Sequence, residues 1–281
     1  MEKKLIRVAH SPDSDDAFMF YPMVKGLVDT YGFKIEHVLK DIESLNDDAK
    51  KGTYELSAVS FHAYPYVADK YYVLPSGGSV GEGYGPIVVS KEPLNTLKGQ
   101  KIAIPGELTT AYLVLRLFEP EFEPVVMSFD KILDEVEKGT VDAGLVIHEG
   151  QLTYKDRGFH KFVDLGEEWQ RKYNLPLPLG CNIVRKDLGL DTIKKLEILM
   201  RESVKKALEA REEALNYAKN YARDLENDEE RANRFVSMYV NERTVDYKED
   251  GKEAVRLLYK LGKERGIIKA DIPDVIFTDE L

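Results

Sequence analysis

Lys91-Glu-Pro-Leu-Asn-Thr-Leu-Lys-Gly-Gln100 is the stretch on which the fold turns. It is polar, carries Pro93 and Gly99, and reads as a crossover between two α/β units. Ahead of it lie apolar, strand-like runs at 5–10, 33–39, 55–60, 71–74 and 87–90, with helical windows at 15–27 and 41–51. Pro22 falls inside the first window, where its ring clashes with the carbonyl four residues back and should kink or shorten the helix. Behind the crossover the alternation resumes: strand 101–105, helix 109–117, strand 123–129, helix 130–138, strand 143–147. Such alternation argues for mostly parallel sheets with helices on both faces. A return strand is expected at 182–185, and helical windows at 191–222, 228–243 and 249–265. Together these describe a bilobal α/β chain. Its large lobe is expected to hold residues 1–95 and 186–281, its small lobe residues 96–185, with a ligand cleft between them.

Composition narrows the class. The 281 residues are 43% hydrophobic, enough for one large core or two smaller ones. The formal net charge is −10 and no Lys/Arg run is long enough to track phosphates, so no nucleic-acid partner is expected. No apolar stretch approaches the roughly 20 residues that span a bilayer, so no membrane partner is expected either. Met1-Glu-Lys-Lys-Leu-Ile-Arg-Val-Ala-His10 passes from a charged lead straight into a strand and does not read as a secretory signal, so the expected location is the cytoplasm. The single cysteine, Cys181, permits no internal disulfide and reads as a buried, inert thiol. The oligomeric state is not legible.

Folds of this kind bind ligands at the carboxyl ends of strands, and four such ends carry distinctive chemistry. In His10-Ser-Pro-Asp-Ser-Asp-Asp-Ala17, Pro12 stops the strand and Ser14 or Asp15 can cap the following helix. Its carboxylates would repel an anion, so this end suits ligand hydroxyls, although a well-capped helix leaves the same trace. Leu56-Ser-Ala-Val-Ser60 ends in small residues that let a ligand approach the backbone, or in a plain cap. Ile104-Pro-Gly-Glu-Leu-Thr109-Thr110-Ala111 delivers two hydroxyls to a helix start, where free N–H groups and the dipole favour a carboxylate; capping by Thr109 alone reads the same way. Gly144-Leu-Val-Ile-His148-Glu149 sets an imidazole, the side chain suited to proton abstraction near neutral pH, directly after an apolar strand. His10, His62 and His148 all follow strands, but there is no HExxH and no paired Cys/His spacing, so no metal site is expected. The glycine-rich Ser76-Gly-Gly-Ser-Val-Gly-Glu-Gly-Tyr-Gly-Pro86 precedes a strand rather than a helix, so it does not read as a dinucleotide site.

At these segments the chain resembles the 1,4-dihydroxy-6-naphthoate synthase family of menaquinone biosynthesis by the futalosine route. The likeness runs from about Arg7 to Gly266. It is carried by Ser11-Pro12 with Asp16 and Phe18; Ser76-Gly77-Gly78 with Gly81, Gly83, Gly85 and Pro86; Thr109-Thr110-Ala111-Tyr112; Ile147-His148-Glu149; Thr153-Tyr154; Asp164-Leu165-Gly166; and Leu175-Pro-Leu-Pro-Leu-Gly180. The resemblance implies a bilobal periplasmic-binding-protein-like (type II) fold with two α/β lobes, a hinge of two crossing segments and a helical C-terminal tail. It implies a cytoplasmic lyase that cleaves cyclic dehypoxanthine futalosine to 1,4-dihydroxy-6-naphthoate and a small sugar-derived fragment, with no metal or organic cofactor. The family's proton-accepting histidine falls on His148. The substrate-binding positions fall on Ser11 and Asp16, on Ala58, Val59 and Ser60, and on Thr109 and Thr110, for a small anionic carboxylate substrate. The chain departs from the family in three places. Ser-Pro-Cys-Pro-Asn-Asp-Thr becomes Ser11-Pro-Asp-Ser-Asp-Asp-Ala17, a common Lys becomes Ala58, and Ser-Arg-Phe becomes Gly150-Gln151-Leu152, so two cations are lost. Chorismate dehydratase and a non-catalytic solute-binding protein of the same fold are the alternatives; the His-Glu pair and the Leu-Pro-Leu-Pro-Leu-Gly segment favour the synthase.

Overall fold

The computed structural model describes residues 3–221 and 228–281. Met1, with which the N-terminal reading begins, and residue 222, the end of the first tail window, lie outside them.

The strands are β1 Leu5–His10, β2 Lys34–Leu39, β3 Leu56–Ser60, β4 Tyr71–Val73, β5 Ser79–Gly81, β6 Ile87–Ser90, β7 Lys101–Ile104, β8 Glu123–Val126, β9 Ala143–Val146, β10 His160–Asp164 and β11 Leu177–Arg185. The helices are α1 Ser14–Val24, α2 Ile42–Lys50, α3 Thr110–Phe118, α4 Ile132–Lys138, α5 Gly150–Thr153, α6 Leu165–Tyr173, α7 Leu190–Glu209, α8 Arg211–Ala218, α9 Glu229–Tyr239, α10 Glu242–Val245 and α11 Lys248–Glu264. The first sheet has the order β2-β1-β3-β11-β4, with β5 also paired to β11; the second has the order β10-β6-β9-β7-β8. β1 runs parallel to β2 and β3, and β7 to β8 and β9, while β11, β6 and β10 enter antiparallel.

Sheet membership corrects the expected lobe limits at two strands. Ile87–Ser90 belongs to the second sheet, between β9 and β10, and Leu177–Arg185 belongs to the first. The stretch 91–100 therefore joins β6 to β7 inside the second sheet. The chain changes sheet at 82–86 and again at 174–176. All four residues of β6 are buried between partner strands, which a short β-branched run next to a polar stretch does not reveal. Glycine makes the passage possible: a Cβ on Gly166 would fall 2.0 Å from the Tyr84 carbonyl, so the segment entering the second sheet can lie against the start of α6 only there.

α1 runs through Pro22 and stops at Val24, three residues short of the expected window, where Gly26 takes a left-handed conformation (φ 67) that ends the helix. The window 191–222 is two helices broken at Ala210, and 228–243 is likewise two, separated by the cap Asn241. β10 and α6 were not expected from the sequence. α7 buries Leu196, Leu199, Met200 and Val204 in a cluster with Ile6, Val8, Phe18 and Phe20, which fixes the start of α1 over the end of β1. No helix among the described residues is long and apolar enough to cross a membrane.

Candidate active site between the sheets

The carboxyl ends of β1, β3, β7 and β9 meet at a cleft holding about 760 Å³ of empty space, part of it open to solvent. Ser11, Asp16, Ala58, Val59, Ser60, Thr109, Thr110 and His148 all line it. The structure thus brings His148 and the expected substrate-binding positions to one cleft, from four separate strand ends.

At the end of β3, Asn46 of α2 holds Ser60 in place. Its Oδ1 accepts from the Ser60 N–H (2.9 Å) and its Nδ2 donates to Ser60 Oγ (3.3 Å). At the start of α3, Thr109 is the N-cap and its Oγ1 accepts from the Tyr112 N–H. The Thr109 N–H donates to Gly106 O (3.4 Å). An α-helix leaves its first N–H groups without intrahelical partners. With two of them satisfied in this way, the donors left at the cleft are those of Thr110 and Ala111, not Thr109 and Thr110 as the sequence reading has it. The Thr110 hydroxyl is occupied, donating to Leu179 O (2.6 Å) and accepting from the His62 N–H (3.2 Å).

The start of α1 is an acidic pole. Asp13, Asp15 and Asp16 are all buried. Burial first, and the neighbouring Asp16 and Asp13 charges second, push the Asp15 carboxyl up. Burial, then Asp13, does the same to Asp16, against the pull of the Ser11 N–H at 2.7 Å. Glu149 crosses from the end of β9 to accept from Ser14 Oγ (2.8 Å), and burial, then Asp13, pushes it to about 7. Asp15, Asp16 and Glu149 therefore keep their protons to a higher pH than exposed carboxyls do and can act as hydrogen-bonding acids.

His148 adopts a left-handed backbone (φ 58), a conformation a non-glycine residue holds only under constraint. On an extended chain His148 and Glu149 would point to opposite sides; the left-handed turn changes that. Both residues instead reach α1. The His148 ring lies 4.8 Å from the Phe129 ring centroid, with Nδ1 3.5 Å from Asp13 Oδ2. Gln151 satisfies both ends of its amide when its nitrogen faces Gly85 O (2.8 Å) and its oxygen the His148 N–H (3.3 Å).

The other two histidines are elsewhere. His10 stacks on Phe20 (4.2 Å) and contacts His37 (3.1 Å), and burial pushes it down to about 3. His62 contacts Thr109 O, and burial pushes it down to about 4. The three imidazoles do not converge. Cys181 is buried on β11, where burial pushes its thiol up, as an inert core residue requires.

Sequence reasoning missed Asn182, Gln151, Phe235 and Tyr239, which also line the cleft. Phe235 and Tyr239 sit four apart on α9, a spacing that core packing produces equally well. Asn182 had a signal, an amide inside the apolar run Cys181–Val184, that went unused. Among the described lining residues there is no Lys or Arg.

Two α/β sheets facing each other across a cleft, with strand ends and one helix start converging on it, define a two-lobed small-molecule-binding protein. The alkanesulfonate-binding protein SsuA of Xanthomonas axonopodis pv. citri has this fold, with a TM-score of 0.70 at 14% identity over 98% of this chain and 97% of that one; the architecture is periplasmic-binding-protein-like. A crystal structure of an Archaeoglobus fulgidus protein matches more closely, with a TM-score of 0.90 and 48% identity over 94% of this chain and 98% of the other. The 1,4-dihydroxy-6-naphtoate synthase of Thermus thermophilus is 42% identical over 93% of this chain and 95% of its own length. Residues 6–264 match the family described as menaquinone biosynthesis, and the chain belongs to that family.

Proposed function

We propose that this chain is a cytoplasmic carbon–carbon lyase that cleaves cyclic dehypoxanthine futalosine to 1,4-dihydroxy-6-naphthoate and a small sugar-derived fragment, without metal or organic cofactor. The observation that carries the reading is the placement of His148, the position of the family's proton acceptor, in the same cleft as the free N–H groups of α3. The substrate's carboxylate binds at the Thr110 and Ala111 amides, where the helix dipole and two donors replace a cation. Its hydroxyl-bearing sugar part lies toward Ser11, Asp15 and Asp16, whose raised carboxyls can donate as well as accept. The two sheets act as lobes that close on the ligand and exclude water. His148 then removes a proton as the bond to the sugar fragment breaks, supplying about 10²–10⁴-fold in rate, or roughly 3–5 kcal/mol of barrier.

The test is incubation of the purified protein with cyclic dehypoxanthine futalosine and, separately, with chorismate. Formation of 1,4-dihydroxy-6-naphthoate is the expected result. Turnover of chorismate alone makes the protein a dehydratase; tight binding of either compound without turnover makes it a non-catalytic binder.

A further inference from the structure

We propose that Asp13 is a positioning residue for His148: it accepts the Nδ1 proton across the cleft and so leaves the Nε2 lone pair directed at the ligand. The inference rests on the reading of His148 as the base and adds the group that orients it.

Three observations converge on this pairing. First, Asp13 stands at the N-cap of α1, where aspartate is among the best capping residues, yet its side chain makes no cap hydrogen bond. A carboxylate that only stabilised the helix would turn to the N–H groups two or three residues on. Instead Oδ2 takes a hydrogen bond from Ser11 Oγ (2.6 Å) and lies 3.5 Å from His148 Nδ1. That separation is long for a hydrogen bond, as such contacts often are before a ligand draws the site together.

Second, the alternative orienting acid is engaged elsewhere. Glu149, the sequence neighbour, is tied to Ser14 Oγ (2.8 Å). The left-handed turn at His148 thus sets two consecutive residues of the second sheet against two consecutive residues of α1: His148 against Asp13, and Glu149 against Ser14. Third, Asp15, Asp16 and Glu149 crowd the same pole, and the neighbouring Asp13 helps to raise each of them. An imidazole with Nδ1 facing a carboxylate is held in the tautomer whose Nε2 accepts a proton, the arrangement by which a third group orients a general base.

The pair has one member on each wall of the cleft, so the base is oriented only when the walls meet. A proton acceptor assembled in this way is competent when the ligand is enclosed and water excluded.

The test uses Asp13→Asn and Asp13→Ala in the full-length protein with two readouts. The first is the His148 tautomer, from long-range proton–nitrogen correlations of the ¹⁵N-labelled protein, assigned by loss of the signals in His148→Asn. The wild type is expected to carry its proton on Nδ1, and Asp13→Ala to move population to Nε2–H. The second is steady-state kinetics: kcat should fall at least about tenfold, toward the ~10²–10⁴-fold a general base supplies, with KM changed little. In the His148→Asn background, Asp13→Ala should cost nothing further. An unchanged tautomer overturns the proposal, as does an unchanged kcat, or a kcat loss that multiplies in full onto His148→Asn. A wild type inert toward the proposed substrate overturns the proposed reaction instead, and the tautomer measurement then decides the Asp13 pairing by itself.

Discussion

Replacing Thr110 by proline should remove one anion donor from the cleft while leaving the helix in place. Thr110 is the first residue of α3, the position where proline is best tolerated. Its predecessor Thr109 already has φ −71 and ψ 143, the extended conformation that a following proline demands. The substitution also deletes the hydroxyl that donates to Leu179 O and accepts from the His62 N–H, so Thr110→Ala is the necessary partner. Both variants lose those bonds and should lose stability together, by about 1–3 kcal/mol for the groups left unpaired. Only proline also loses the amide. A hydrogen bond to a charged group contributes about 1.5–3 kcal/mol, so the proline variant should bind 1,4-dihydroxy-6-naphthoate about 10- to 150-fold more weakly than the alanine variant. Titration calorimetry gives the ratio, and thermal melts establish that both are folded. Equal affinities in two folded variants would refute the assignment of this helix start as the carboxylate site.

His148→Asn should keep ligand affinity within a few-fold while lowering kcat by about 10²–10⁴-fold, whereas His10→Ala and His62→Ala should change kcat far less; steady-state kinetics beside calorimetry separates the two effects. Glu149 sits at about 7 in the folded protein, above its ordinary 4.5. The native state therefore holds more protons than the unfolded chain between those values, and Glu149 contributes stability at low pH that is lost as pH rises through about 7. The difference in unfolding free energy between wild type and Glu149→Gln, from urea unfolding, should accordingly change with pH across that window, by up to about 3 kcal/mol; a pH-independent difference would count against a buried Glu149 with a raised pKa. Gly166→Ala places a Cβ 2.0 Å from the Tyr84 carbonyl and should cost about 1–3 kcal/mol in urea unfolding, since neither contact is a flexible side-chain end.

The residues of the cleft were legible in the sequence because strand ends carry few structural duties: a His, a Thr-Thr pair or a Ser-Pro directly after an apolar run has little else to do. The sheet boundaries were not. The strand-like run 87–90 and the return strand at 182–185 were legible, but the sheet each joins was not, because their partners are far away in sequence and β11 begins in a Pro-rich segment. The turn at His148 was hidden for a related reason. A left-handed conformation at a non-glycine residue follows from tertiary constraint rather than local preference, so the placement of Glu149 beside Ser14 could not be read from the sequence. Phe235 and Tyr239 show the limit from the other direction, since a helical stripe that lines a cavity reads the same as one that fills a core.

The cleft carries the uncharged Ala58 and Gln151 beside the buried acids at the start of α1. A Lys at position 58 or an Arg at 151 would stand in the same cleft as Asp15 and Asp16. A cation within a few ångströms favours the ionised form of a carboxyl, so it would pull both acids down and leave them charged. The cleft would then hold fixed negative charge facing an anionic ligand. With Ala58 and Gln151 in those positions, burial governs the acids, and they stay protonated enough to donate to ligand hydroxyls. The anion is left to the amides of α3, which cost no desolvation of a mobile charge and cannot form ion pairs with the acidic pole. With no cation at 58 or 151, the cleft keeps a hydrogen-bonding end at the start of α1 and an anion-attracting end at the start of α3.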